Sequence, residues 1–504
     1  MRVAAEHPDL LTHVARQARG SGPCDPLPWW RRISWRDPAS VFTGVALIVG
    51  ALLVGVTPPF QVPDEPNHFY RAFQVSEGRL VPQKTPTSVG GLLPRSLQEL
   101  SRDVMGNVPF NPEVKQDLTA WARAFEMPLR PDDRIDTPFP NTALSGPIAY
   151  VPQAIGINFA RIVGASTLMV FYWGRISTLL LCIAVTAVAI RCLPIRRWTC
   201  VLLSLLPMTV FVRSSLSSDG PTLALAMLAL AICLKPADLS APSVDAQGRR
   251  RLFGVAALLA LGKPPYGVVT LLALATPSRI LGGLKPWVST MLALAVTLVA
   301  LQGAWGLAMR GKTVVSAPGA DPQAQLKHVR EHPLDVASFL VKDFLHSIPR
   351  LTHQALGVLG WLDAEVPRPV ALFLGMLIVL VALGEPGLPP MYPGFRWLAL
   401  SIGIAGALAL QVLNFVWWTP PGATFVAGIQ GRHLLAFVPF LFVAIDSPDW
   451  IARPLSRLRP VFIVTFLVVS GTATLLTVVN RYYEPAASSS LDTLPSRASA
   501  ANGF

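Results

Sequence analysis

Residues 57–73 read T-P-P-F-Q-V-P-D-E-P-N-H-F-Y-R-A-F, and they begin where the first long apolar segment, about Val41 to Val56, ends. The adjacent acids Asp64 and Glu65 therefore fall at a membrane–water boundary. Pro63 and Pro66 bracket them and forbid a smooth helix through the pair, because proline lacks the backbone donor and restricts the residue before it. His68, Tyr70 and Arg71 follow directly. Two carboxyl groups held at the lip of a bilayer beside a histidine and an arginine form a reactive-looking cluster.

Outward from that stretch, composition sets the class. Apolar residues make up 52% of the chain, charged residues 14%, and the mean hydropathy is +0.48. Runs of about 20 apolar residues recur from end to end, the mark of membrane-crossing helices. The expected fold is an all-α polytopic membrane protein. A net charge of +13 would point a soluble protein toward nucleic acid. Here the basic residues cluster in short loops between spans, so orientation in the bilayer accounts for them and no nucleic-acid partner is expected. Cys24, Cys182, Cys192, Cys200 and Cys233 lie in the N-terminal tail, in apolar segments or in a short basic loop. None falls in a loop expected outside, so no disulfide framework is implied.

The tail 1–39 carries Arg16, Arg19, Arg31, Arg32 and Arg36 and no cleavable signal pattern, which keeps the N-terminus cytoplasmic. The transmembrane domain then runs over 40–480, with outer loops at 58–167 and 309–367. The first of these is too long to be a passive connection and must carry its own structure. A short helix is expected over Phe69–Leu80, ended by Gly78, and an interfacial one over Tyr150–Val163. Arg175 lies inside the second span, where a charge is costly and marks a functional or paired site. L-G-K-P-P-Y around Lys263 either kinks one span or turns between two. The hairpin is preferred, because it puts Arg279, Lys285, Arg396, Arg453, Arg457 and Arg459 all inside. That gives about eleven spans, a long structured first outer loop, and a disordered extracytoplasmic tail over 481–504 in the plasma membrane of the cell.

On this topology Asp64, Glu65, His68, Arg71, Asp219, Lys263, Gln430 and Arg432 all reach one side, with Arg175 in the outer half of its span. Acids can take a proton from an attacking hydroxyl or hold a divalent cation, magnesium or manganese, while Arg and Lys hold phosphate. That combination suits a reaction on a lipid-phosphate-linked donor. Plainer readings stand beside it. The acids can cap the helix that follows, Arg175 can pair with a buried acid, Lys263 can snorkel to the interface, and Asp219-Gly220-Pro221 can be a turn. Trp361-Leu362-Asp363 can anchor an outer loop. No phosphate-binding glycine loop, zinc spacing or nucleophile elbow occurs, so no cytoplasmic nucleotide-driven engine is read.

Six motifs recur in order: P-P-F-Q-V-P-D-E-P-N-H-F-Y-R-A, G-P-I-A-Y-V-P-Q-A-I-G, L-L-P-M-T with S-S-D-G, G-K-P-P-Y, G-V-L-G-W-L-D and G-I-Q-G-R-H. Over about Val41 to Asn480 they resemble the bacterial membrane-protein family called domain of unknown function 2142, which is grouped with the GT-C superfamily of membrane glycosyltransferases. His433 stands where that family usually has an aromatic, and Ser145-Gly146-Pro147 replaces a His-Pro-rich turn. The superfamily resemblance implies a GT-C-like fold, a polyprenyl-phosphate-linked sugar donor, and transfer at the extracytoplasmic face. It also implies that Asp64 and Glu65 are the acidic motif of the first loop, as general base or as cation ligands. The acceptor expected is a cell-envelope glycan or glycolipid, with membrane lipids as further partners. The rival class is a transporter or flippase, or a non-catalytic partner, for lipid-linked saccharides. A transporter would show duplicated halves and polar midplane residues, and neither is visible in the sequence.

Overall fold

Asp37 caps the first crossing helix, its carboxylate accepting from the Ser40 backbone N–H at 3.0 Å, and the apolar run behind it forms α1 (Pro38–Val56). The computed structural model describes residues 36–84, 88–239, 243–312, 317–385 and 394–483. The N-terminal arginines up to Arg32, Cys24 and the tail beyond 483 lie outside the described residues. After α1 come α2 (Glu65–Ser76), α3 (Arg95–Met105), α4 (Leu118–Ala124), α5 (Pro140–Ala143), α6 (Val151–Ile162) and α7 (Thr167–Cys192). Next are α8 (Arg197–Ser204), α9 (Pro207–Arg213), α10 (Asp219–Leu234), α11 (Ala246–Ala260), a 3-10 helix (Tyr266–Ala275) and α12 (Leu284–Ala308). The chain ends with α13 (Pro322–Glu331), α14 (Pro333–Gly357), α15 (Arg368–Gly384), α16 (Phe395–Trp418), α17 (Gly431–Leu434), α18 (Val438–Val443) and α19 (Asp449–Tyr482).

Among the described residues, six helices are long and apolar enough to cross a bilayer: α1, α7, α10 extended to Ala237, α12, α16 and α19. The expected count of about eleven spans thus exceeds the six helices that meet this length and composition among the described residues. The other five expected crossings are short or broken, and the breaks coincide with proline. Pro207 separates α8 from α9, Pro264-Pro265 separates α11 from the 3-10 helix, and Pro439 opens the short α18. α15 has 17 residues. Irregular backbone at membrane depth persists only where it is buried in protein or lines a cavity. The chain does turn back at Lys263: the Val244 N–H donates to the Ile280 carbonyl at 2.8 Å, so the two helical arms of the hairpin begin and end together.

The loop between α1 and α7 has its own architecture. Strands β1 (Gln83–Lys84), β2 (Val89–Pro94) and β3 (Arg134–Pro138) form an antiparallel sheet in the order β1-β2-β3, so the molecule is not purely helical. The helix expected at Phe69 starts earlier, at Glu65. Its underside is aromatic: Phe60 and Phe69 pack on Phe171 of α7 with ring centroids 4.7 and 5.4 Å apart, and all three are fully buried. Burial of each such ring stabilises by about 1.5–3 kcal/mol, which fastens the loop to the bundle. On α6, Val151, Ile155, Phe159 and Ile162 are exposed along one apolar stripe.

A second fastening comes from the far end of the chain. α19 runs on through Tyr482, past the boundary expected for the tail. Arg481 pairs with Asp363 at 2.7 Å, both buried, and donates to the Val108 and Val114 carbonyls. Tyr482 donates to the Gln61 carbonyl, and the Trp361 indole to that of Phe60. The W-L-D motif thus clips the first loop from above. Strands β4 (Val358–Leu359) and β5 (Ala364–Glu365) frame it.

Candidate functional site

Asp64 is the hinge of the site. Prolines on both sides stop α1 from continuing into α2, and Asp64 takes the left-handed conformation, φ +61°, that Asp tolerates better than most side chains. It occupies the N-cap of α2, yet its side chain makes no capping bond. Instead Oδ1 accepts from Asn141 Nδ2 at 2.7 Å and Oδ2 faces Arg432 Nη2 at 3.2 Å. The left-handed turn also sends the next side chain the opposite way.

Glu65 goes inward and is fully buried. Its Oε1 accepts from Arg175 Nε at 2.9 Å and from the Leu216 N–H at 3.2 Å; Oε2 accepts from Arg175 Nη2 at 2.6 Å and the Phe60 N–H at 3.0 Å. Arg175 spends its remaining donors on the Val54, Thr57 and Pro58 carbonyls, with its guanidinium 4.6 Å from the Phe171 ring centroid. Every donor of Arg175 is used, and Glu65 has no lone-pair site facing an opening. This closed knot sits under the loop rather than beside Asp64.

Four charged groups do converge. Arg432 lies between two carboxylates, Nη2 toward Asp64 and Nε 3.1 Å from Asp219 Oδ2, while Lys263 pairs with Asp219 Oδ1. Asp219 and Arg432 are almost fully buried, whereas the Asp64 side chain keeps 34% exposure. Arg432 Nη1 and Nε are buried with no hydrogen-bond partner among the described residues, the approach of Nε to Asp219 being out of alignment. A buried guanidinium with an idle donor is costly unless something else accepts from it. Two glycines allow this closeness. A Cβ on Gly431 would stand 2.2 Å from the Leu351 carbonyl oxygen, and one on Gly146 2.0 Å from that of Leu261. Gly146 also donates its N–H to Gly262 at 2.7 Å, seating the S-G-P turn on the Lys263 hairpin.

His68 stands at the inner edge of the cluster, its Nδ1 2.8 Å from the Tyr150 hydroxyl. Burial pushes its pKa down to about 3, with the nearby Lys263 and Arg432 acting in the same sense and Asp219 opposing, so it is neutral at physiological pH. Burial likewise holds Tyr150 protonated. Gln430 flanks the cluster through its backbone, its N–H donating to His433 Nδ1 at 3.4 Å. Arg71 is elsewhere: it binds Gln74 and the Leu80 carbonyl within the loop, and burial lowers its pKa to about 10. Of the residues read from the sequence, Asp64, His68, Asp219, Lys263, Gln430 and Arg432 are brought together; Glu65, Arg175 and Arg71 are not. Asn141, Tyr150 and His433 join the cluster without being among the sequence candidates, although the last two lie in the ordered motifs.

The residues do not fit a divalent cation at Asp64 and Glu65. The two carboxylates diverge, Glu65 is saturated by Arg175, and Asp64 and Asp219 already face a guanidinium. Among the described residues, no group of three or more His, Cys, Asp or Glu is placed to hold a metal.

Residues 47–441 match the family described as "Predicted membrane protein (DUF2142)". The chain belongs to that family. Most of the DUF2142 match covers the elements just described, from within α1 to α18. No curated protein matches the chain. Among solved structures it is similar to ArnT from Cupriavidus metallidurans, in a crystal structure bound to undecaprenyl phosphate, at 14% identity and a TM-score of 0.39, covering 88% of this chain and 76% of that one. The apo crystal structure of the same protein gives 13% identity and a TM-score of 0.37, covering 88% and 75%.

Proposed function

We infer that this DUF2142 protein is a glycosyltransferase of the GT-C kind, moving a sugar from a polyprenyl phosphate to a cell-envelope glycan or glycolipid at the extracytoplasmic face. The observation that carries the reading is the idle Nη1 of buried Arg432, set beside Lys263 and next to a carboxylate that is still open to solvent. A phosphate oxygen is the acceptor such a guanidinium fits best. Asp64 takes the proton of the acceptor hydroxyl, whose oxygen bonds to the anomeric carbon from the face opposite the leaving group. The bond from that carbon to the phosphate oxygen breaks, its electron pair leaves with the phosphate, and Arg432 and Lys263 carry the resulting charge. One displacement of this kind inverts the sugar. Glu65 has no part in the chemistry; it holds the loop that presents Asp64.

The two cations supply the charge neutralisation that a magnesium or manganese ion would otherwise provide. Asp219 orients both of them through its two oxygens. The test is transfer of radiolabel from polyprenyl-phosphate sugars to lipid or glycan acceptors by the purified protein. Transfer should persist in excess chelator, and Arg432→Gln should raise the donor KM at least tenfold. Absence of transfer from every such donor, or an Arg432→Gln enzyme with unchanged donor KM, overturns the reading.

A further inference from the structure

A cavity of about 820 Å³ opens at the end of the bundle opposite Asp64, where the chain leaves α10 and enters α11. Much of its lining is apolar, including Val188 of α7, Leu228 of α10, and Val255 and Leu258 of α11. Its mouth carries Lys235, Arg249 and Arg251. The one acid on the lining is Asp245, and its Oδ1 is engaged as the cap of α11, accepting from the Gly248 N–H at 2.7 Å. The mouth is thus net positive. Leu258 lies about 10 Å further along α11 than Arg251, enough to bury several methylene groups.

We propose that this cavity is a binding site for an anionic phospholipid, its phosphate at Lys235, Arg249 and Arg251 and an acyl chain between α7, α10 and α11. The occupant must be amphiphilic. A free anion leaves the apolar walls unused, and an uncharged chain leaves the positive charge of the mouth unmet, Arg249 having only the Val244 carbonyl as a neutral acceptor at 3.3 Å. Basic pockets between membrane helices take phospholipid headgroups by this division of labour. The site is separate from the Arg432 cluster, since Arg249 and Arg251 lie at the start of α11 and Lys263 lies beyond its end. α11 joins the two, so a lipid seated here braces the hairpin that carries Lys263.

The test uses the full-length protein in detergent, given equal amounts of phosphatidylglycerol and phosphatidylcholine and read by native mass spectrometry. The wild type should retain the anionic lipid preferentially. The triple variant Lys235→Gln, Arg249→Gln, Arg251→Gln should lose that preference, on the order of a hundredfold if each basic side chain carries about fivefold. Gly254→Trp fills the cavity from a lining position where an added Cβ meets nothing within 4 Å, so the fold is spared. It should reduce retention of both lipids. Millimolar inorganic phosphate should leave lipid retention unchanged. Equal retention of the two lipids by wild type, a preference that survives the triple variant, or displacement by inorganic phosphate alone would each overturn the proposal.

Discussion

Asp64 and Glu65 are neighbours in the chain and carry the same group, yet their surroundings are opposites. Glu65 meets a fully engaged arginine in a dry interior, with no acceptor left over. Asp64 meets an arginine that still has a donor to offer, in a place water can reach. The difference comes from one left-handed residue between two prolines, which turns successive side chains to opposite sides of the loop. It teaches that an acidic pair at a membrane lip is not a catalytic unit by virtue of being a pair. One acid can fasten what the other uses.

That contrast can be broken in several ways. Glu65→Gln strands the Arg175 guanidinium without its counter-charge and should cost about 3–5 kcal/mol of stability, read as a lowered melting temperature. Asp64→Asn in the same assay should change stability by about 1 kcal/mol or less, as for a part-exposed ion pair. Equal losses in the two variants would erase the distinction. Gly431→Ala drives a Cβ into the Leu351 carbonyl and should cost about 1–3 kcal/mol by overpacking, while displacing the neighbouring Arg432. Asn141→Ala removes one hydrogen bond from Asp64 and should slow transfer roughly two- to tenfold with little change in melting.

A separate effect sharpens the comparison through pH. The folded-state pKa of His68 is depressed from 6.5 to about 3 by burial. The unfolded chain therefore binds a proton first, and the stability this neutral histidine contributes is complete above pH 6.5 and falls away as pH drops toward 3. His68→Gln should flatten that slope between pH 6 and 4; an unchanged slope would assign it to other groups.

Much of this was legible in the sequence. Hydropathy marked the crossing regions, charge favoured the Lys263 hairpin over a straight span, and the resulting topology brought Asp219, Lys263 and Arg432 to one side as candidates. What it did not show follows from physics that acts across the chain. The sequence contains Arg175 and Glu65 but not their bond, which closes over 110 residues. Leucine-rich runs read as spans even where Pro207 or Pro439 breaks them, because hydropathy averages over a window and a proline acts at one position. The fastening of the first loop by Arg481 needs the last helix to continue past the end of its apolar stretch. Asn141 and Tyr150 carry no charge, so nothing in their spacing announced that they would orient Asp64 and His68.

The most direct measurement is sugar transfer from a polyprenyl-phosphate donor by Asp64→Asn, set against Glu65→Gln, each normalised to its folded fraction. Loss of a general base should slow Asp64→Asn by about 10²–10⁴-fold, while folded Glu65→Gln stays within a few-fold of wild type. Wild-type turnover in Asp64→Asn would contradict the account.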